Sequence, residues 1–197
     1  MLKGKKYKNI TVFCASSASV DKVYHNAAYR LGELFAEYDI TCVCGAGNAG
    51  LMRAVSDGTL DKGGNVVGVI PRFMVDNGWC HQQLTETIVT EDMHERKETM
   101  SRLADAVIAL PGGCGTLEEL LEIITWKQLG LYKGVIMILN TNGFYDHLLA
   151  MLQHCIDENF MKKSHGALWH IANAPEEVMN ILHSIDIDNE NVIESKY

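Results

Sequence analysis

The chain has 197 residues, with 17 Lys and Arg against 25 Asp and Glu, a formal net charge of −8. That length suits one domain that buries its own core without disulfides or a structural metal. The acidic balance argues against polymeric nucleic acid or a membrane surface as partner, since both select excess Lys and Arg, and no apolar run is long enough to span a bilayer.

A basic start (Lys3, Lys5, Lys6, Lys8) reads as a solvated tail leading into a strand at 9–14, NITVFC. Residues 21–38 carry Ala27, Ala28, Leu31, Leu34 and Phe35 at helical spacing. A short strand at 41–44 and a helix at 50–62 follow. The apolar run 65–70 predicts a third strand, stopped by Pro71. Residues 72–84 read as irregular or a short helix, 85–90 as a fourth strand and 93–103 as a helix. A fifth strand at 105–110 ends in Pro111-Gly112-Gly113, and a helix at 115–129 places Leu117, Leu120, Leu121 and Ile124 on one face. A strand at 135–139 and helices at 144–158 and 175–183 complete the pattern, with 186–197 expected to be loosely held.

Continuously apolar strands are buried on both faces. Alternating with helices, they imply a single α/β domain of Rossmann-like type, with a parallel sheet of about six or seven strands and helices on both faces. Ligands in such sheets sit at the C-terminal strand ends, where the strand order reverses. The six cysteines (Cys14, Cys42, Cys44, Cys80, Cys114, Cys155) form no CxxC pair, and the eight histidines no HExxH. Free thiols in a reducing cytoplasm, without a metal or a signal peptide, are the expectation.

Two glycine loops stand at strand ends. The first, Gly45-Ala46-Gly47-Asn48-Ala49-Gly50, matches GxGxxG. A dinucleotide site would also need an acid at the end of the next strand, and that strand ends Val69-Ile70-Pro71-Arg72. The loop therefore reads as a packing turn or a phosphate site rather than an NAD site. The second loop runs Leu110-Pro111-Gly112-Gly113-Cys114-Gly115-Thr116-Leu117-Glu118-Glu119. Its glycines permit close backbone approach, and Thr116 adds a hydroxyl beside the free N–H groups of a helix start, which together make a phosphate cradle. No Lys-Ser/Thr pair follows, so it is not an NTP-hydrolysing P-loop. Glu118 and Glu119 point about 100° apart on a helix, so one can face the site and the other solvent. Glu118 shares a stripe with Glu122; spacing alone does not choose between the two. Upstream, Met93-His94-Glu95-Arg96-Lys97 opens a helix at another strand end. An acidic protein that binds an anion needs a local cation, and Arg96 is the best placed.

PGGCGTLEE (Pro111–Glu119) with MHERK (Met93–Lys97) resembles the LOG ("Lonely guy") family of cytokinin-activating phosphoribohydrolases, whose pattern is PGGxGTxEE. The likeness extends to VFCASS, GAGNAGLM, VVGVIP, ITWKQLG and LNTNGFYD, over nearly the whole chain. It implies hydrolysis of the N-glycosidic bond of a nucleoside 5′-monophosphate, cytokinin riboside monophosphate or AMP, to free base and ribose 5-phosphate. It also implies a homodimer or higher oligomer and no cofactor. By position, the resemblance makes Arg96 and Glu119 the catalytic pair. Lys97, Gly113, Cys114, Gly115, Thr116, Leu117, Glu118 and Thr125 match substrate contacts, and Ser16 and Ser17 border the nucleotide. With Gly45, Asn48 and Gly112 from the two glycine loops, these are the candidate site residues.

The chemistry suits that set. Breaking a ribosyl–base bond builds oxocarbenium-like charge, which a carboxylate can stabilise while it orients or deprotonates water. Ala15, Ala46 and Ala49 stand where the family usually has glycine or a different loop, and residues 73–81 depart from the family and are expected to shape the base pocket. The departures keep a second reading open, a non-catalytic nucleotide-binding module on the same fold. Cys114 is expected to be no nucleophile, because no partner base is identifiable. The label "lysine decarboxylase-like" that family members carry would require a Schiff-base lysine, and no Lys occupies a strand end or a glycine loop.

Overall fold

A computed structural model describes residues 7–185. The Lys3, Lys5 and Lys6 tail and the 186–197 tail lie outside the described residues. Seven strands, β1 (Asn9–Phe13), β2 (Thr41–Cys44), β3 (Val66–Pro71), β4 (Glu86–Thr90), β5 (Ala106–Ala109), β6 (Val135–Leu139) and β7 (His170–Ala172), form one sheet in the order β4-β3-β2-β1-β5-β6-β7. Every neighbouring pair is parallel. The helices are α1 (Lys22–Glu37), α2 (Gly50–Asp61), α3 (Arg72–Asp76), α4 (Met93–Leu103), α5 (Cys114–Gln128), α6 (Asp146–Asp157) and α7 (Pro175–Ser184).

The sheet separates two apolar layers, because successive strand residues face opposite sides. Ile10 and Val12 of β1 join Leu31 and Phe35 of α1, Leu51 and Val55 of α2, and Val178 and Leu182 of α7. Phe13 joins the other layer with Met100 of α4 and Leu120 and Ile123 of α5. Thr11, a polar residue buried in the central strand, donates its hydroxyl to the Met100 carbonyl at 2.8 Å, so its burial leaves nothing unpaired. Helices α1 and α2 approach through glycine: a Cβ at Gly32 would collide with the Val55 carbonyl, and one at Gly58 with the Tyr29 carbonyl.

The sheet departs from the expected elements in small ways. The sequence offers no signal for β7, because three residues are too few to show a periodicity; they become a strand only through pairing with Met137–Leu139. Pro71 does not interrupt β3 but forms its last pair, opposite Thr90, where a missing N–H has least effect. The fifth helix begins at Cys114 rather than 115, and the sixth at Asp146 rather than 144.

The strand order places the site. From β1 the chain walks outward to β4, then returns to lay β5 on the other side of β1. The loops leaving β1 and β5 therefore diverge, opening a crevice at the sheet's C-terminal edge.

Candidate active site

The crevice is a cleft of about 300 Å³ lined by Cys14, Ala15, Ser16 and Ser17 after β1, Met52 of α2, Met74 of α3, Met93 and Arg96 of α4, and Gly113, Gly115, Thr116 and Glu119 of the β5–α5 turn. Five elements distant in sequence thus meet at the switch point.

Arg96 and Glu119 form its floor. The Arg96 guanidinium donates through Nη1 to Glu119 Oε1 at 2.7 Å and through Nε to the Val69 carbonyl at 3.1 Å. Arg96 is 3% exposed and Glu119 7%, so this ion pair is held away from bulk water. The glycine at 45 makes room for it: a Cβ there would strike the guanidinium. Burial pushes the Glu119 carboxyl above its usual range, and the neighbouring Arg96 only partly opposes the shift. The start of α4 is set by Asp92, whose carboxylate accepts from the N–H groups of His94 and Glu95 at 2.8 and 2.9 Å. Those backbone bonds, led by the one from Glu95, hold Asp92 below the ordinary carboxylate range.

The cradle lies above the pair. α5 starts with Gly113 as its N-cap and no side-chain cap, and its first internal bond runs from Leu117 N–H to the Gly113 carbonyl. The N–H groups of Cys114, Gly115 and Thr116 precede that bond and remain available to an anion. Gly112 and Thr116 pack against each other, since a Cβ on Gly112 would strike the Thr116 side chain. A Cβ on Gly113 or Gly115 would meet nothing within 4 Å. The last two glycines are thus not required by packing; their bare backbone faces space that a ligand can fill. Cys114 is an exposed free thiol.

The first glycine loop behaves differently. The N–H groups of Leu51 and Met52 at the start of α2 donate to the Ala15 carbonyl at 2.9 and 3.3 Å, and Asn48 N–H to the Trp79 carbonyl at 3.0 Å. Gly50, at φ +61°, packs on the backbone of Ser16 and Ser17. The N–H groups of Asn48, Leu51 and Met52 are thus spent on the protein itself, which is a physical reason against reading GxGxxG here as a dinucleotide site. Asn48 lies outside the cleft, and its side chain donates to the Gly78 carbonyl at 2.9 Å. Together with His81 N–H on the Ala46 carbonyl, these bonds tie the segment carrying α3 to the glycine loop and bring Met74 over the cleft.

The two adjacent glutamates separate. Glu119 turns into the cleft, while Glu118 is 55% exposed and takes a hydrogen bond from Lys97 Nζ, which also donates to Glu122 at 3.1 Å. Burial disfavours the charged lysine, but its bonds to Glu118 and Glu122 outweigh that and raise its pKa. Lys97 is therefore a brace between α4 and α5. Thr125 is exposed and bonds the Leu121 carbonyl. Asn48, Lys97, Gly112, Cys114, Leu117, Glu118 and Thr125 do not line the cleft; Ser16, Ser17, Arg96, Gly113, Gly115, Thr116 and Glu119 do. Gly45 contributes from beneath, through Arg96. The sequence reading did not single out Met52, Met74 and Met93, although Met52 and Met93 sit inside the motifs it quoted. Among the described residues, no group of three His, Cys, Asp or Glu side chains could hold a metal ion, and no helix is long and apolar enough to cross a membrane.

This fold and crevice define a nucleotide-binding-type α/β protein, and comparison with known proteins makes the assignment specific. Residues 52–182 match the family described as "Possible lysine decarboxylase". The chain is 38% identical over 188 residues to cytokinin riboside 5′-monophosphate phosphoribohydrolase LOG5 of Arabidopsis thaliana, covering 95% of this chain and 82% of that protein. It is 42% identical over 159 residues to LOG2 of the same plant, covering 81% and 75%. Among solved structures, the molybdenum cofactor binding protein of Rippkaea orientalis superposes with a TM-score of 0.70 at 22% identity, covering 91% of this chain and 97% of that one. A structural-genomics target, TM1055, does so at 0.72 and 26%, covering 90% and 99%. The first of these likenesses is one of fold. The chain belongs to the LOG family of cytokinin riboside 5′-monophosphate phosphoribohydrolases.

Proposed function

We propose that this protein hydrolyses the N-glycosidic bond of a nucleoside 5′-monophosphate, cytokinin riboside monophosphate or AMP, releasing the free base and ribose 5-phosphate. The observation that carries the reading is the buried Arg96–Glu119 pair lining the same cleft as the glycine-rich N-terminus of α5. The 5′-phosphate sits on the N–H groups of Cys114, Gly115 and Thr116 with the Thr116 hydroxyl beside it. The ribose then lies over Glu119. As the bond to the base lengthens, positive charge grows on the ring, and the carboxylate opposes it while taking a proton from the attacking water. The water oxygen bonds to the anomeric carbon, the base leaves with the bonding electrons, and the proton passes to the base. Arg96 keeps Glu119 oriented and favours its ionised form. The base end falls against Met52, Met74 and Met93, whose flexible thioethers adapt to substituents of different shape. This chemistry needs no Schiff-base lysine, and no lysine lines the cleft.

The test is base release. Purified protein incubated with AMP and with isopentenyladenosine monophosphate is expected to yield free base from at least one. Calorimetric nucleotide binding without turnover across a panel of nucleotides would instead establish the non-catalytic binding module.

Gly115→Ala offers a sharper check. The new methyl meets no protein atom within 4 Å, and Ala is favoured over Gly in a helix by about 0.5–1 kcal/mol. Stability should rise, by about 1–4 °C in Tm. The same methyl intrudes on the phosphate, so KM should rise on the order of tenfold, equivalent to about 1.4 kcal/mol. A Tm gain with unchanged KM removes the phosphate from this cradle.

The same reading carries a homodimer or higher oligomer, supported by the exposed Leu121 midway along α5 and Leu129 and Leu131 just beyond it; sedimentation checks it. The free state of all six cysteines supports a reducing compartment, as in cytoplasm.

A further inference from the structure

LNTNGFYD, the stretch after β6, has no part in the chemistry above, yet it reaches the cradle from below. Tyr145 is 1% exposed, and its hydroxyl donates to the Leu110 carbonyl at 2.6 Å. That carbonyl lies one residue beyond the last β5–β6 pair, Ala109 with Ile138. It is the last main-chain acceptor before Pro111 and the glycines. Leu110 is 1% exposed, so its carbonyl needs a protein donor. On the other side Leu110 N–H donates to the Phe13 carbonyl at 2.9 Å, and Ala15 N–H to the Pro111 carbonyl at 3.2 Å. The root of the cradle is thus held at three points, two on β1 and its loop and one on the phenol.

The phenol is itself fixed. Tyr145 N–H donates to Asn140 Oδ1 at 2.7 Å, and Asn140 Nδ2 to Asp146 Oδ1 at 2.7 Å. Phe144 packs edge-on against the Tyr145 ring, with centroids 5.0 Å apart. Burial, with Cys14 and Glu119 nearby, raises the phenol's pKa, which keeps it protonated as a donor.

We infer that Tyr145 is a positioning residue for phosphate binding: through the Leu110 carbonyl it sets the height of the Gly112–Thr116 backbone relative to Glu119. This deepens the phosphoribohydrolase reading and rests on it for the ligand. Its effect runs to the phosphate end of the cleft and leaves the base end, lined by Met52, Met74 and Met93, untouched.

The experiment compares Tyr145→Phe with wild type, by calorimetry with ribose 5-phosphate and with adenine as separate probes and by steady-state kinetics. Phe keeps the ring and removes only the donor. The expected result is a roughly tenfold weaker ribose 5-phosphate affinity, an equal rise in KM for the nucleotide and little change in kcat or adenine affinity. Asn140→Ser, which loosens the turn beneath the ring and retains the phenol, should show the same selectivity to a smaller degree, and serves if the Phe variant folds poorly. Equal weakening of both probes, or a lower Tm with unchanged ribose 5-phosphate affinity, overturns the inference. A wild-type protein that binds ribose 5-phosphate yet releases no base overturns the hydrolase reading, and the calorimetric ratio still decides the role of Tyr145.

Discussion

Replacing Glu119 with Gln is expected to lower kcat by about a hundred- to ten-thousandfold, the range associated with losing a positioned general base, with a much smaller change in KM. Gln has nearly the size of Glu, so the cleft keeps its shape and the phosphate cradle is untouched. What disappears is the negative charge that opposes the developing oxocarbenium and the site that takes the proton from water. Glu118→Gln is the matching control: it loses a partly exposed bond to Lys97 and should leave kcat within a few-fold. The wild-type pH profile tests the same assignment. Glu119 acts as its anion, and burial holds its pKa above the ordinary glutamate range. Activity should therefore fall as pH drops through a limb displaced upward from that range. The sign for stability follows as well: the folded protein binds this proton more readily than the unfolded chain, so the contribution of Glu119 declines as pH rises above the ordinary glutamate value. A Glu119→Gln protein with wild-type kcat refutes the assignment.

Arg96→Met is expected to damage stability and activity together. Arg96 is the charged partner of a carboxylate that is 7% exposed, and it also donates to the Val69 carbonyl. Removing one member of a buried pair leaves the other uncompensated, at about 3–5 kcal/mol. For a chain of this length that corresponds to a fall in Tm of roughly 6–20 °C. The double variant Arg96→Met with Glu119→Gln leaves no charge at this buried pair, so part of the lost stability should return, while activity stays near zero. Thermal unfolding of the four proteins in this cycle measures the coupling. Strict additivity would mean that the two side chains do not share a buried interaction in solution.

The alternation of apolar runs and amphipathic stretches reads directly as a parallel α/β sheet, because strands buried on both faces leave a continuous hydrophobic signature. β7 left no such trace: a three-residue edge strand owes its existence to the neighbour it pairs with. The GxGxxG loop shows the same limit in function. Its glycines are plain in the sequence, but the Ala15 carbonyl that takes the Leu51 and Met52 N–H groups comes from the loop after β1. Residues distant in sequence decide whether a helix start is open to a ligand.

The sequence by itself determined the fold class, the glycine-rich helix start after β5 and the two motifs holding Arg96 and Glu119, because these depend on local chemistry and short spacing. It even placed Glu118 and Glu122 on one stripe. Spacing left the choice between the two adjacent glutamates open and the family resemblance named Glu119; the tertiary structure supplies the physical reason that Glu119 and not Glu118 faces the cleft. Lys97 reaches from α4 to hold Glu118 and Glu122 on the outer side, and the helix turn then delivers Glu119 to Arg96. The net charge of −8 is likewise no obstacle to binding a single anionic nucleotide. The proposed phosphate site is a helix N-terminus, a local field that no sum over the chain reveals.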